Sequence, residues 1–179
     1  MTQSWYNQEV KQVVFFPIMI LAAIAAGCRP DLTVDLSKTV TDTNAAPVNL
    51  AAEVTRANAE HKLLFMEFGS SDSCPPCVAF QQLVFSTPQF ATYEKSNLVF
   101  VRLDYPLKVS LRPETKATNE LLARQFDAYA FPTFVALDKN GKPFWQMPEI
   151  NSPNPEIDTR LFQPKYFVDL LNSLRNKQK

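Results

Sequence analysis

Neither sign of charge is in excess in this chain: 18 basic and 18 acidic side chains cancel over 179 residues. That balance excludes a broad cationic field for nucleic acid or for an anionic membrane surface. No apolar run reaches the ~20 residues that a spanning helix requires. Internal repeats are absent. Histidine occurs once, as His61, and cysteine three times, as Cys28, Cys74 and Cys77. Glycine is equally scarce, with Gly27 before a cysteine, Gly69 ahead of a Cys-Pro-Pro-Cys run, and Gly141 in "DKNGK". What the chain does have is apolar bulk, 46% hydrophobic with 14 Phe. A real core can be built from it, and the composition is not that of a disordered chain. The length suits one domain with an appendage.

The appendage is N-terminal. "MTQSWYNQEVKQ" is polar and is followed by an apolar run from Val13 to Ala26, too short to span and suited to the apolar region of an export signal. Ala25, Ala26 and Gly27 directly before Cys28 resemble a bacterial lipoprotein signal. That resemblance implies a signal over residues 1–27, diacylation of Cys28 on sulfur and cleavage that leaves it as the new N-terminus. The alternative is an ordinary cleaved signal or an uncleaved anchor with Cys28 incidental. In each case the mature chain is exported, where disulfides persist. Residues 28–48, rich in Thr, Asp, Asn and Pro, read as a tether reaching at most ~60 Å at about 3.3 Å per residue. The alternative there is that part of the segment packs on the domain surface.

The remaining residues, 49–179, read as one domain. "NLAAEVTRANAEHK" (49–62) places Leu50, Val54 and Ala57 at helical spacing. "LLFMEF" (63–68) has the continuous apolar character of a strand buried on both faces. "CVAFQQLVF" (77–85) is helical, and Thr87-Pro88 opens another helical turn. "NLVFVRLD" (97–104) is a second strand, and "YPLKVSLRP" (105–113) an irregular insertion. "ETKATNELLARQFDAY" reads as a helix with Leu121, Leu122 and Phe126 toward the core. "PTFVALD" (132–138) and "PFWQM" form a hairpin across Asn140-Gly141, with Pro143 marking an edge strand. A long loop follows, and a last helix puts Phe167, Leu170, Leu171 and Leu174 on one face. The order predicts an α/β architecture around a small mixed sheet.

Three readings of "CPPC" (74–77) compete. Structural zinc needs four ligands, and without a second CxxC it requires a dimer. A structural disulfide closing so small a loop removes little unfolded-state entropy. A redox pair fits its context, since a CxxC after a buried strand and opening a helix sets the first sulfur among unpaired N–H groups. Cys74 is then the attacking thiolate and Cys77, one turn inward, resolves the mixed disulfide.

With "FMEFGSSDSCPPC", "AFPTFVALD" and the "DKNGK" hairpin in place, the chain resembles the thioredoxin superfamily over roughly residues 49–177. The resemblance implies a thioredoxin fold, a central mixed β-sheet flanked by helices. It implies that Pro132 is a cis-proline facing the disulfide, with Phe131 presenting backbone groups to substrate; a trans proline opening a strand is the alternative. Pro75 and Pro76 shape the same substrate-binding loop. Glu67 stands where the family carries a buried acid that takes the Cys77 proton; the alternative is a solvent-facing strand end. Ser73 replaces the usual Trp and Ala130 the usual Gly, so substrate preference does not transfer.

The activity implied is that of an exported thiol–disulfide oxidoreductase of the cell envelope exchanging electrons with protein thiol or disulfide substrates, as a reductase, with an oxidase or isomerase as the alternative within the same class. An unidentified donor or acceptor protein is its partner, a lipid anchor holds it at the membrane, and no organic cofactor, metal or nucleic acid is involved. The competing class is a redox-inert peptide- or protein-binding module. Because Pro75 and Pro76 have no N–H, Cys74 loses donors it could otherwise use. Thiol titration of the reduced protein is therefore expected to place Cys74 above about 5, short of the most oxidising members of the family.

Overall fold

Strand β1, Leu63–Gly69, has every one of its residues buried in the computed structural model, which describes residues 45–147 and 159–178. The export signal, Cys28 and the tether up to residue 44 lie outside the described residues. So does most of the long loop, residues 148–158. A strand without a polar face must be covered on both sides, and the rest of the fold supplies that cover.

Strand β2 (Leu98–Asp104) runs parallel to β1, in register from Leu63↔Leu98 to Gly69↔Asp104. On the other side β3 (Thr133–Leu137) pairs antiparallel, with Phe68 opposite Thr133. Strand β4 (Pro143–Gln146) adds to β3 through a turn in which Gly141 takes φ +76°. The order is β2-β1-β3-β4, so Pro143 does sit on an edge strand, where its missing N–H is harmless.

Among the described residues five α-helices flank the sheet: α1 (Leu50–Ala59), α2 (Pro75–Phe80), α3 (Pro88–Asn97), α4 (Pro113–Gln125) and α5 (Pro164–Lys177). All but α1 begin on proline, whose fixed φ suits the first helical position and whose missing N–H would have no partner there. One face of the sheet carries a core rich in Phe, including Phe65, Phe80, Phe85, Phe90, Phe134 and Phe167. The other packs Leu64, Met66, Phe68, Val99 and Val135 against Leu122 and Phe126 of the α4 region. The aromatic residues Phe80 and Phe85 are thus core. This is the α/β arrangement, a mixed sheet between helices, that the resemblance implies.

Several boundaries differ from the sequence expectation for physical reasons. The fourth helix stops at Gln125, because Asp127 turns left-handed (φ +50°) and the Ala128 N–H closes on Ala123 O at 2.9 Å. Leu121 is 59% exposed and does not face the core. The buried stripe runs through Thr115, Asn119, Leu122 and Ala123. Asn119 earns its place by polar contacts: its Nδ2 donates to Asp104 O (3.0 Å) and its carbonyl accepts from Tyr105 Oη (2.6 Å). The helix after Cys74 begins at Pro75 and widens into a π-helical turn over Gln81–Phe85. Within the tether segment, Ala45 O accepts from Arg112 Nη2 (3.1 Å) and Thr115 Oγ1 (2.8 Å), and Val48 packs against the core.

Helix α1 ends the same way as α4, with His61 at φ +54° and the Lys62 N–H bonded to Ala57 O at 2.9 Å. In a chain so short of glycine, two helices thus close on residues whose Cβ opposes the left-handed turn. His61→Gly is expected to stabilise the domain by about 0.5–1 kcal/mol, the steric relief less the added chain entropy. Urea unfolding at constant m-value checks it.

Candidate active site

At Gly69 the chain leaves the sheet, and within five residues it has reached the pair of sulfurs. Cys74 is the N-cap of α2, in extended conformation, and its Sγ accepts the Cys77 N–H at 3.2 Å. Cys74 and Cys77 are joined as a disulfide. Both cysteines are buried, Cys77 at 4% and Cys74 at 7% exposure, and Cys74 lies between the exposed residues Ser73 and Pro75. Pro75 and Pro76 occupy the first turn and offer no N–H, so the helix start presents fewer donors to the sulfur than an ordinary one.

Glu67 is buried, which excludes the solvent-facing strand end. Strand alternation places it on the same face as Leu63 and Phe65, beneath α2. A Cβ on Gly69 would lie 3.2 Å from Cys77 Sγ and 3.4 Å from Glu67 Oε1. Sulfur and carboxyl oxygen are therefore no farther apart than the sum of those distances, across a position where a Cβ would press on the sulfur. Oε2 accepts from Arg102 Nε at 2.6 Å. Oε1 has no hydrogen-bond partner among the described residues. Burial raises the carboxyl above its ordinary range, and the charge and hydrogen bond of Arg102 offset this only in part. Arg102 also donates to Gln81 Oε1 in the π turn, and its guanidinium lies 5.3 Å from the Phe85 ring centroid.

The loop between β1 and α2 is built on two further carboxylates. Asp72, 8% exposed, accepts from the Leu107 N–H (2.9 Å), the Lys108 N–H (2.7 Å) and Ser70 Oγ (3.2 Å). Burial opposes its ionisation, but the two backbone amides and Ser70 outweigh it and hold the carboxyl below its usual range. Ser70 Oγ is also 2.5 Å from the Oγ of Ser73, the residue before Cys74. Asp104 accepts from Ser71 N (2.8 Å) and Ser71 Oγ (2.7 Å).

The Phe131–Pro132 peptide bond is cis, as the resemblance implies. Pro132 is buried and Phe131 partly so, with its ring stacked on Tyr105 at 4.9 Å between centroids. Register brings these parts together: Phe68 pairs with Thr133, next to the cis-proline, and Gly69 pairs with Asp104, next to Tyr105.

Asp72, Arg102 and Asp104 were not among the residues singled out from the sequence. Arg102 becomes legible once the strands are aligned, since Glu67↔Arg102 is a parallel-register pair. "SSDS" signals only a polar turn. The partners of Asp72 lie in a segment without regular structure, which no local pattern announces.

Comparison with known proteins agrees with this geometry. A family model described as a thioredoxin-like domain matches residues 48–161. The disulfide bond reductase DsbH of Chlamydia pneumoniae is 27% identical over 97 residues, which is 54% of this chain and 58% of that protein. The chain thus spans less than two-thirds of the length of that relative. Among solved structures, a DsbH oxidoreductase is 22% identical with a TM-score of 0.56, covering 77% of this chain and 92% of the other. A disulphide isomerase from Xylella fastidiosa Temecula1 is 13% identical with a TM-score of 0.50, over 70% and 87% of the two chains. These structural likenesses concern the fold.

A carboxyl whose folded-state pKa is raised gives stability that is fully present below the ordinary value of 4.5 and is lost as pH rises through the folded value. The oxidised protein is therefore expected to lose stability from pH 4.5 upward. Glu67→Gln should flatten that slope, so that the variant gains on the wild type with rising pH; parallel urea-unfolding curves across this range check it.

Proposed function

Because this chain belongs to the thioredoxin-like family, we propose that its Cys74–Cys77 pair makes it a thiol–disulfide oxidoreductase acting on protein disulfides in the reductive direction. The observation that carries the reading is the buried Glu67, with an unpartnered oxygen set close to Cys77 across Gly69. A disulfide that merely held a turn has no use for a proton acceptor beneath its inner sulfur.

In the reduced protein the Cys74 thiolate attacks one sulfur of a substrate disulfide, forming a Cys74–substrate disulfide and releasing the other substrate sulfur as thiolate. Cys77 then gives its thiol proton to the Glu67 carboxylate and attacks Cys74 Sγ. The Cys74–Cys77 bond forms, the mixed disulfide breaks, and the second substrate thiol leaves. Two electrons have passed to the substrate, and a donor dithiol protein must return them. The raised proton affinity of Glu67 narrows the gap to a thiol of pKa about 8.5, which makes the carboxylate an effective base. Phe131 and the cis Pro132 present backbone to the substrate strand beside Pro75 and Pro76. The export signal and Cys28 support a place in the cell envelope, anchored through lipid.

The reading predicts that the wild type reduces insulin when supplied with a small dithiol. Cys74→Ser should abolish turnover, and Cys77→Ser should accumulate a reducible covalent complex between substrate and Cys74. Wild-type inertness with reductant present would instead make the domain a binding module. A reduction potential near −120 mV rather than near −270 mV would reverse the direction of electron flow.

A further inference from the structure

Residues 105–112 leave β2 and reach α4 without forming a helix or strand, and they turn apolar side chains outward. Leu107 is 81% exposed, and Val109 is exposed as well. A single exposed Leu calls for no explanation. This segment differs because it is clamped from both ends to the parts that surround Cys74. The amides of Leu107 and Lys108 both donate to Asp72, which stands two residues before Cys74 and so within ~7.6 Å of it, Cα to Cα. At the near end, Tyr105 stacks on Phe131, the residue before Pro132. Tyr129, 69% exposed, precedes that same residue by two positions. A linker between β2 and α4 requires neither clamp. Burying a carboxylate is costly unless its lone pairs are matched, and here they are matched by the backbone of this segment.

We infer that residues 105–109 are a specificity arm for the reaction proposed above. Asp72 is the positioning residue that holds the arm in register with Cys74. Leu107 and Val109, with Tyr129 across the cis-proline loop, take an apolar stretch of the substrate protein flanking its disulfide. The occupant follows from continuity: a chain covalently held at Cys74 Sγ is joined two residues from Asp72, to which the arm is bonded. A small disulfide has no flanking chain and does not use the arm. The inference rests on the oxidoreductase reading.

The test uses the full chain with Leu107→Ser and Val109→Ser together, both at exposed positions. Reduction of insulin is compared with reduction of 5,5′-dithiobis(2-nitrobenzoate). The ratio of kcat/KM for insulin to that for the small disulfide is expected to fall about tenfold, through KM for insulin. Asp72→Ala should move the ratio the same way, and Asp72→Asn, which keeps one acceptor oxygen, should recover part of it. An unchanged ratio in the Leu107/Val109 variant overturns the inference while leaving the oxidoreductase reading intact, whether or not the Asp72 variants fold. Wild-type inertness toward both disulfides overturns the oxidoreductase reading and the inference with it.

Discussion

Strand β1 is apolar and buried on both faces, and this constraint organises the molecule. It has to be flanked by strands on both edges and by cores on both sides. The parallel register with β2 and the antiparallel register with β3 then bring three chain ends to one side of the sheet. These are the exits of β1 and β2 and the entry of β3. The Tyr105 N–H extends the ladder by one bond to Gly69 O at 2.9 Å. Each reactive or shaping element lies one short connection from this rim. The disulfide loop follows β1, the arm follows β2, and the cis-proline precedes β3. A one-residue slip of β1 would turn Glu67 away from α2 and place Phe68 beneath the disulfide.

Around the disulfide, two carboxyls shielded from solvent are driven in opposite directions. What separates them is depth of burial together with donor count. Asp72 has three donors on its two oxygens and stays ionised below the usual range. Glu67 has Arg102 on one oxygen and none on the other, and its affinity for a proton rises. Saturated hydrogen bonding suits a group that holds chain segments together. An unsatisfied oxygen suits one that must accept a proton, since protonation relieves its burial. Environment thus suits two groups of the same kind to different work, and for Glu67 that is the role proposed above.

Much of this was legible in the sequence, and what was not shares a cause. The apolar run 63–68, the Asn140-Gly141 hairpin, the edge proline at 143 and the faces of the last helix are local patterns, and all appear in the structure. The same holds for Cys74 at the head of a helix, read from its context after a buried strand, and the cis bond before Pro132 is as the resemblance implied. Leu121 failed because hydrophobicity was read as burial, whereas Asn119 took the inward position through contacts with Asp104 and Tyr105. The π turn at Gln81–Phe85 has no breaker residue to announce it; Arg102, whose guanidinium meets both Gln81 and Phe85, comes from another strand. Asp72 was passed over because its partners are backbone amides in an irregular segment. Periodicity reports neighbours along the chain, and each of these features depends on a neighbour across it.

The prolines of the CPPC loop bear on the direction of electron flow. A thiolate at a helix start is normally stabilised by several N–H groups, which makes it abundant and a good leaving group. Among the described residues, the hydrogen bond to Cys74 Sγ comes from Cys77 N–H, and Pro75 and Pro76 supply none. On the expectation that this leaves Cys74 above the most oxidising members of the family, it would be stronger as an attacking thiolate and weaker as a leaving group. The step that forms the internal disulfide expels the substrate sulfur; in reverse, a substrate thiolate attacks Cys74 Sγ and displaces Cys77, and a second substrate thiol must then release Cys74 as thiolate, a step that gains little from so weakly stabilised a leaving group. Both factors favour an oxidised pair after turnover. The proton relay proposed for Glu67 would serve ring closure and ring opening alike and does not choose between them. It is the prolines above the sulfurs that support the reductive direction proposed for this chain.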